Sequence, residues 1–426
     1  MGVFSNVLRV FKIHDLRGRI LFVLGVFLVF RIMANIPVPG IDALRLREFF
    51  EGNQIFGLLN LFTGGTMDSL SIVMLGLGPY ITATIIMQLL TMIFPALNRL
   101  YKEEGEQGRQ KFNQYGRMLT VPFAYVQGYG FLMLLTQQGV VASMGILHLL
   151  GALTVIAAGT MLLVWLGELI SEKGIGNGVS LLIFAGIVAM VPQQITQFAF
   201  LWDPARLPIF ILFFCMALAI IAGVVYVTQA RRNIPVSYAK RVRGNKMFGG
   251  ASTYLPLSVN PAGVIPIIFA LALLTFPGMI ASFFVAAPGI LGQIALAAQS
   301  FFTNPWATGL MYFGLVIMFT FFYTAVTFDP KSISSNLQKM GGFIPGVRPG
   351  TPTTKFLSHI LNRILVTGAL FLATIAVMPS VIQGLTDVAA FEFLVGGTAV
   401  LIIVNVVLET LRQLRAQLQM REYDTF

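Results

Sequence analysis

Apolar residues in this chain come in long unbroken runs, not in the alternation of a half-buried strand or the one-sided spacing of a soluble helix. Ten runs approach or reach the length of about 20 residues that a helix needs to cross a hydrocarbon core. They are Ile20–Ile36, Ile72–Phe94, Met118–Thr136, Ile146–Leu169, Val179–Phe198, Leu207–Val227, Ala262–Phe284, Trp306–Phe328, Leu357–Val377 and Phe391–Leu408. A helix is the predicted form because it satisfies its backbone hydrogen bonds within the segment. The first run follows basic residues, in the manner of a secretory signal. It lacks a small-residue cleavage site and continues through Arg31 to Pro37, which predicts an uncleaved span.

Charge sets the orientation. With the N-terminus inside, the N-terminal tail, 95–117, 170–178, 228–261, 329–363 and the C-terminal tail carry 24 of the 28 basic residues. Only Arg31, Arg45, Arg47 and Arg206 fall outside. The excess of Lys and Arg on cytoplasmic segments therefore predicts that both termini are cytoplasmic. The runs divide into two sets of five about a short outer connector. An odd number per set makes the halves inversely oriented, a plan common among transport proteins. No residue-level repeat supports the symmetry, which rests on the count of runs. The expected fold is an all-α polytopic membrane protein with ten transmembrane helices in two inverted halves. Residues 1–191 form the N-terminal half, 192–206 an outer hinge and 207–426 the C-terminal half.

Composition agrees: of 426 residues 56% are hydrophobic and 11% charged, where a soluble domain carries about 25% charged residues. The mean hydropathy is +0.82. One cysteine, Cys215, and three scattered histidines argue against a disulfide framework, a metal centre or a cofactor site. The middle thirds of the runs hold no Asp, Glu, Lys, Arg or His; Arg31, Glu168, Glu392 and Glu409 sit at run ends, where snorkelling accounts for them. That absence argues against a proton-coupled transporter or lipid flippase, and against a membrane-embedded hydrolase. There is no phosphate-binding Gly-rich loop followed by Lys and Ser or Thr, so any energy must come from a partner.

Two features do not fit a plain bundle. The segment Ile55–Ser71, IFGLLNLFTGGTMDSLS, is too polar to span and too apolar for a simple loop, and Gly64-Gly65 breaks any helix through it. Two placements suit it: a re-entrant segment shielded by protein, or an amphipathic helix at the outer surface. The inner loops at about 228–261 and 329–356 are also far longer than the roughly 2–8 residues usual within bundles, which suggests a docking platform. The first holds Arg231, Arg232, Lys240, Arg241, Arg243 and Lys246; the second carries Arg348 in a Gly- and Pro-rich turn.

Seven motifs resemble the SecY family, the channel subunits of the bacterial Sec translocon. They are FRIMANIPVPGID (30–42), the stretch Leu61–Leu90, EKGIGNGVSLLIFAGI (172–187), IPVSYAKR (234–241), STYLPLSVNPAGVIPIIFA (252–270), GGFIPGVRPG (341–350) and VGGTAVLI (395–402). The resemblance implies a protein-conducting channel in the bacterial cytoplasmic membrane, non-enzymatic and without cofactor. Unfolded preproteins and nascent chains would pass outward, and transmembrane segments would leave sideways into lipid. It implies a constriction made by Leu77, Ile81, Val179, Ile183, Ile268 and Ile402. Leu77/Ile81 and Val179/Ile183 are each four apart, so each pair shares a helix face, and an apolar constriction seals by dewetting.

In the same family the 55–71 segment is a plug outside the constriction. Phe56, Leu58, Leu59, Leu61 and Phe62 would give its apolar contact and Gly64 and Gly65 its bend. Removing 61–69 is then expected to leave the helices packed. The lateral gate would lie where the second and third spans face the seventh and eighth, with Thr82, Thr84 and Gln88 as polar residues at the seam. The basic loops would dock the motor ATPase SecA or the ribosome, where ribosomal RNA phosphates suit them. SecE and SecG are the implied small partner subunits.

Overall fold

The computed structural model describes residues 13–38, 63, 65–67, 70–137, 139, 141, 145–200, 207–238, 241–243, 246–248, 252–284, 289–386 and 397–424. Its helices are α1 (His14–Ala34), α2 (Gly78–Ile93), α3 (Pro95–Lys102), α4 (Gly105–Gln137), α5 (Ile146–Lys173), α6 (Gly178–Phe200) and α7 (Leu207–Gln229). After a sheet segment come α8 (Ile265–Phe284), α9 (Ile290–Thr303), α10 (Pro305–Thr327), α11 (Pro330–Lys339), α12 (Thr351–Thr386) and α13 (Gly397–Asp424). The predicted apolar runs lie along α1, α2, α4 to α8, α10, α12 and α13. Among the described residues, four helices are long and apolar enough to cross a membrane, and the bent pair α2–α3 makes a fifth if it is one span.

Helix boundaries follow local chemistry. Proline opens α3, α10 and α11, where a missing N–H costs nothing. Ahead of α10 and α11, Asn304 and Asp329 cap the first turn by accepting from the backbone N–H of Trp306 and Lys331. The chain turns by 111° between α2 and α3, at Phe94-Pro95. Pro122 and Pro192 are accommodated inside α4 and α6, so α6 continues through much of the expected connector to Phe200.

Hydroxyls within apolar helices are mostly satisfied by their own backbone. Thr82, Thr120, Thr320, Thr324 and Thr374 each donate to the carbonyl four residues earlier, at 2.7–3.0 Å. Such back-bonding removes the cost of placing a hydroxyl in an apolar medium.

The main core is a continuous apolar cluster joining both sets of helices. Phe30, Leu163, Ile187, Val224, Ile267, Phe319, Leu372 and Ile402 are all buried in it. A second cluster lies around α4 and α5, built from Phe131, Leu132, Leu135 and Ile156 with Val38, Met67 and Leu70.

Four departures from the sequence reading have physical causes. Helix α2 begins at Gly78, not at Ile72, because residues 70–77 form turns in which Gly76 takes a φ of +54°. A β-bridge from Pro37 to Ser71 holds that stretch against the end of α1. An additional helix, α9, packs on α8 and α10. Helix α13 runs well past Leu408, to Asp424. Finally, the all-α reading suits the apolar body, but the first long inner loop is a β structure. Its strands are β1 (Arg231–Tyr238), β2 (Arg241–Arg243), β3 (Lys246–Phe248) and β4 (Ser252–Ser258), and β5 (Gly342–Phe343) comes from the second loop. The order is β4-β1-β5, antiparallel throughout, with β2-β3 as a separate hairpin.

Candidate functional site

All six residues expected at the constriction lie in or against the main apolar cluster. Leu77 caps the start of α2 and Ile81 sits one turn on; Val179 and Ile183 open α6; Ile268 is in the first turn of α8 and Ile402 in the second of α13. Leu77, Ile183 and Ile402 are buried, and Ile81, Val179 and Ile268 pack against them as partly buried members. The four elements come from both halves of the chain, and the six side chains are all aliphatic. Aliphatic side chains of this kind offer water and ions no hydrogen-bonding partner.

The start of α6 depends on a glycine turn. In Gly174-Ile175-Gly176-Asn177-Gly178, Gly176 has a φ of +88°. A Cβ on Gly178 would run into the Gly167 carbonyl of α5 and come within 2.9 Å of Ile170 Cβ. Ser171 Oγ accepts from the Gly178 N–H at 2.9 Å, and Asn177 Oδ1 accepts from Ser180 N at 3.2 Å. The motif brings α6 close against α5, and so sets where Val179 and Ile183 stand.

At the expected seam, α2 and α4 both pack on α8. Thr82 donates to Gly78 O and accepts from Gln127 Nε2 of α4 at 3.1 Å, so its side chain ties two helices of the same half. Thr84 donates to Tyr80 O in its own helix. Gln88 has a buried Oε1 without a partner.

Of the 55–71 segment, Phe56, Leu58, Leu59, Leu61, Phe62 and Gly64 lie outside the described residues. Gly65 has a φ of +77°, and a Cβ there would touch Met190 of α6. Thr66 is fully buried, with Oγ1 3.0 Å from Thr63 O and 3.2 Å from Val73 O. Ser71 donates to Thr66 O through both its Oγ and its N–H. Met67 and Leu70 are buried in the second cluster. Thr66 and Met67, within the 61–69 stretch whose removal is expected to leave the helices packed, are thus buried against the body of the protein.

The two basic loops, read as separate platforms, fold as one unit. Ile234, Val236, Leu257, Leu337, Ile344, Leu357 and Ile360 form its common buried core. Arg231 and Arg232 are exposed at the start of β1, Arg241 and Arg243 are on β2, Lys246 is on β3, and Lys240 lies outside the described residues. Arg348 is exposed in the turn between β5 and α12. Gly346 supplies a φ of +82°, and Thr353 Oγ1 donates to the Arg348 carbonyl at 2.8 Å. The backbone is fixed while the guanidinium projects outward.

Asp329 fixes the base of this unit. Burial alone would raise its carboxyl. Hydrogen bonds from Ser332 Oγ and the Lys331 and Ser332 amides, with the Lys102 charge, outweigh burial and hold it below the usual carboxylate range. The cap's contribution is thus complete above the ordinary carboxyl value and is lost as pH falls through the lowered one. Hydrogen exchange at the first turn of α11 should accelerate in that acid window in the wild type. In Asp329→Ala it should be fast at neutral pH, for a loss of about 1 kcal/mol. Equal protection in the two proteins at neutral pH would deny the cap this role.

Glu168, assigned above to snorkelling, is ion-paired: its Oε2 is 2.9 Å from Arg117 Nη1, linking α5 to α4. Neither the Gly178 contact nor the fusion of the two loops was found from the sequence.

A family model described as SecY matches residues 71–411. Over 98% of both chains, the sequence is 42% identical to the protein translocase subunit SecY of Streptomyces coelicolor. It is 43% identical to the subunit of that name from Thermus thermophilus, over 97% of this chain and 95% of the relative. Among solved structures, one described as a protein conducting channel superposes with a TM-score of 0.62 at 20% identity, covering 93% of this chain and 91% of that one. Another, described as Sec61 in the canine ribosome-channel complex, gives 0.58 at 19% identity with the same coverage. These two establish likeness of fold.

Proposed function

Because the chain belongs to the SecY family, we propose that it is the channel subunit of a bacterial preprotein translocase. It passes unfolded polypeptides across the cytoplasmic membrane and releases apolar segments sideways into lipid. The reading takes the ten apolar runs as spans in two inverted halves, with both termini cytoplasmic. One observation carries it beyond family membership. Six aliphatic side chains from α2, α6, α8 and α13, drawn from both halves, share one apolar cluster. Such a junction seals against ions and still yields to an entering chain, because contacts between aliphatic side chains carry no directional bond that has to break.

In this reading 55–71 is the plug, and Leu77, Ile81, Val179, Ile183, Ile268 and Ile402 are the ring. The gate opens where α2 and α4 meet α8. The chain does no bond chemistry. SecE and SecG complete the assembly, and SecA or the translating ribosome docks on the basic unit that carries Arg231, Arg232 and Arg348.

The test is reconstitution into liposomes with SecE, SecG, SecA, ATP and a precursor protein. The expected result is precursor protected from external protease, dependent on ATP and on this chain. Protection that is the same without the chain would sink the proposal.

A further inference from the structure

Helix α9 takes no part in the ring, the plug, the gate seam or the basic unit, and its sides are sorted in an unusual way. Among its described residues the buried ones are Gly292 and Ala295. Small residues at this spacing let the helix lie close on α8 and α10, against which it packs. Its large apolar side chains point elsewhere: Ile290 is 76% exposed, Ile294 60% and Phe301 46%. With the exposed Ala297 they follow at i, i+4, i+7 and i+11, which holds them within an arc of about 60° on an α-helix. Gln293 and Ser300, also exposed, form a separate row along one edge of that stripe, and the exposed Leu296 lies beyond them. Water would select the reverse, with large apolar residues turned inward and small or polar ones outward. A helix lying in a membrane surface sorts as α9 does, one edge among acyl chains and one edge wet.

Three observations name lipid as the occupant of that stripe. From Pro261 to Phe328 the chain has no Asp, Glu, Lys, Arg or His, so this surface offers a charged partner nothing to pair with. Helix α9 ends at Thr303 and α10 starts at Pro305, so a single residue separates it from a run read as a span, and it cannot stand clear of the bilayer. Trp306, in the first turn of α10, is 64% exposed, and tryptophan collects at the level of the lipid headgroups. We propose that α9 lies in the outer leaflet of the membrane, with Ile290, Ile294, Ala297 and Phe301 among the acyl chains and Gln293 and Ser300 facing water. Because α9 packs on α8, it holds the outer end of α8 at a set depth. The helix that α2 and α4 meet at the seam is thus moored to lipid from outside. This inference rests on the ten-span reading, which puts the connection between α8 and α10 on the outer side.

The experiment uses the full chain with SecE and SecG in liposomes, in a Cys215→Ser background. Single cysteines at Ile290, Gln293, Ile294, Ala297, Ser300 and Phe301 carry a nitroxide, and its collisions with oxygen, which enters lipid, and with a water-soluble nickel chelate are compared. Oxygen should dominate several-fold at 290, 294, 297 and 301, and the nickel chelate at 293 and 300. Nickel access at all six sites would put the helix in water, and 290, 294 and 301 closed to both reagents would mean that protein covers the stripe; either result overturns the proposal. Gln293→Cys should also react with a membrane-impermeant maleimide added to intact spheroplasts. Reaction only after lysis would discredit the ten-span reading together with this inference, whereas outside reaction with the wrong depth pattern discredits the inference alone. The mooring of α8 is read at Phe284→Cys, at the end of α8, where the native residue is 45% exposed. Combining it with Ile290→Asp and Ile294→Asp should shift its nitroxide toward the nickel chelate at least two-fold. An unchanged ratio at normal abundance overturns the mooring, and if that variant does not accumulate, the single-site scan decides.

Discussion

Gly178→Ala is expected to strip the protein of most of its thermal stability, although it adds one methyl group. The added carbon collides with the backbone carbonyl of Gly167 and crowds Ile170 Cβ, both inside α5, where neither can rotate away. Overpacking of this kind costs about 1–3 kcal/mol where side chains can yield, and more where the obstacle is helix backbone. Gly151→Ala is the matched control: its Cβ meets nothing within 4 Å, so a change within about ±0.5 kcal/mol is expected. The measurement is the temperature at which the detergent-solubilised protein loses its monodisperse peak. A midpoint for Gly178→Ala equal to that of Gly151→Ala would mean that α5 and α6 do not approach as closely as the structure shows.

Arg348→Glu should leave the protein abundant and abolish most SecA-driven export. Its carbonyl is held by Thr353 and its side chain is exposed, so reversing the charge removes no internal contact. Exposed substitutions of this kind shift stability by about ±0.5 kcal/mol. At a tight interface the same change replaces a charge-assisted bond with repulsion, a swing of several kcal/mol. Export at the wild-type rate would remove Arg348 from the docking surface. Loss of the protein itself would show that the arginine supports its own loop.

The long helices were legible because a bilayer demands unbroken apolar runs; Pro95, Pro305 and Pro330, which open α3, α10 and α11, were a boundary signal left unread. The start of α2 was misjudged because Ile72–Leu77 are apolar yet turned. The deciding element is the bridge to Pro37, a contact between segments distant in sequence. Strand β1 does alternate, with Ile234 and Val236 inward, but the alternation covers only a few residues among basic ones and was read as loop. The extension of α13 had a signal, Leu411, Leu414 and Leu418 at helical spacing, which its polar neighbours masked. Ring residues are a different case. An isoleucine in an apolar helix looks like any other, so only the family resemblance singled out Ile402. The role of Gly178 needs the position of α5, which no local pattern contains.

The basic unit also has a bearing on how work reaches the pore. Its strand β1 continues directly from α7, its strand β4 leads into α8, and its core includes Leu357 and Ile360 of α12. Every one of these helices lies after the connector. Under the proposed docking, a partner gripping this unit holds the C-terminal half alone, as a hand holds one handle of a pair of shears. Torque applied there has the other half to work against. In the proposed assembly each stroke of a motor is thus delivered as relative rotation of the two halves, not as a displacement of the whole molecule through the lipid.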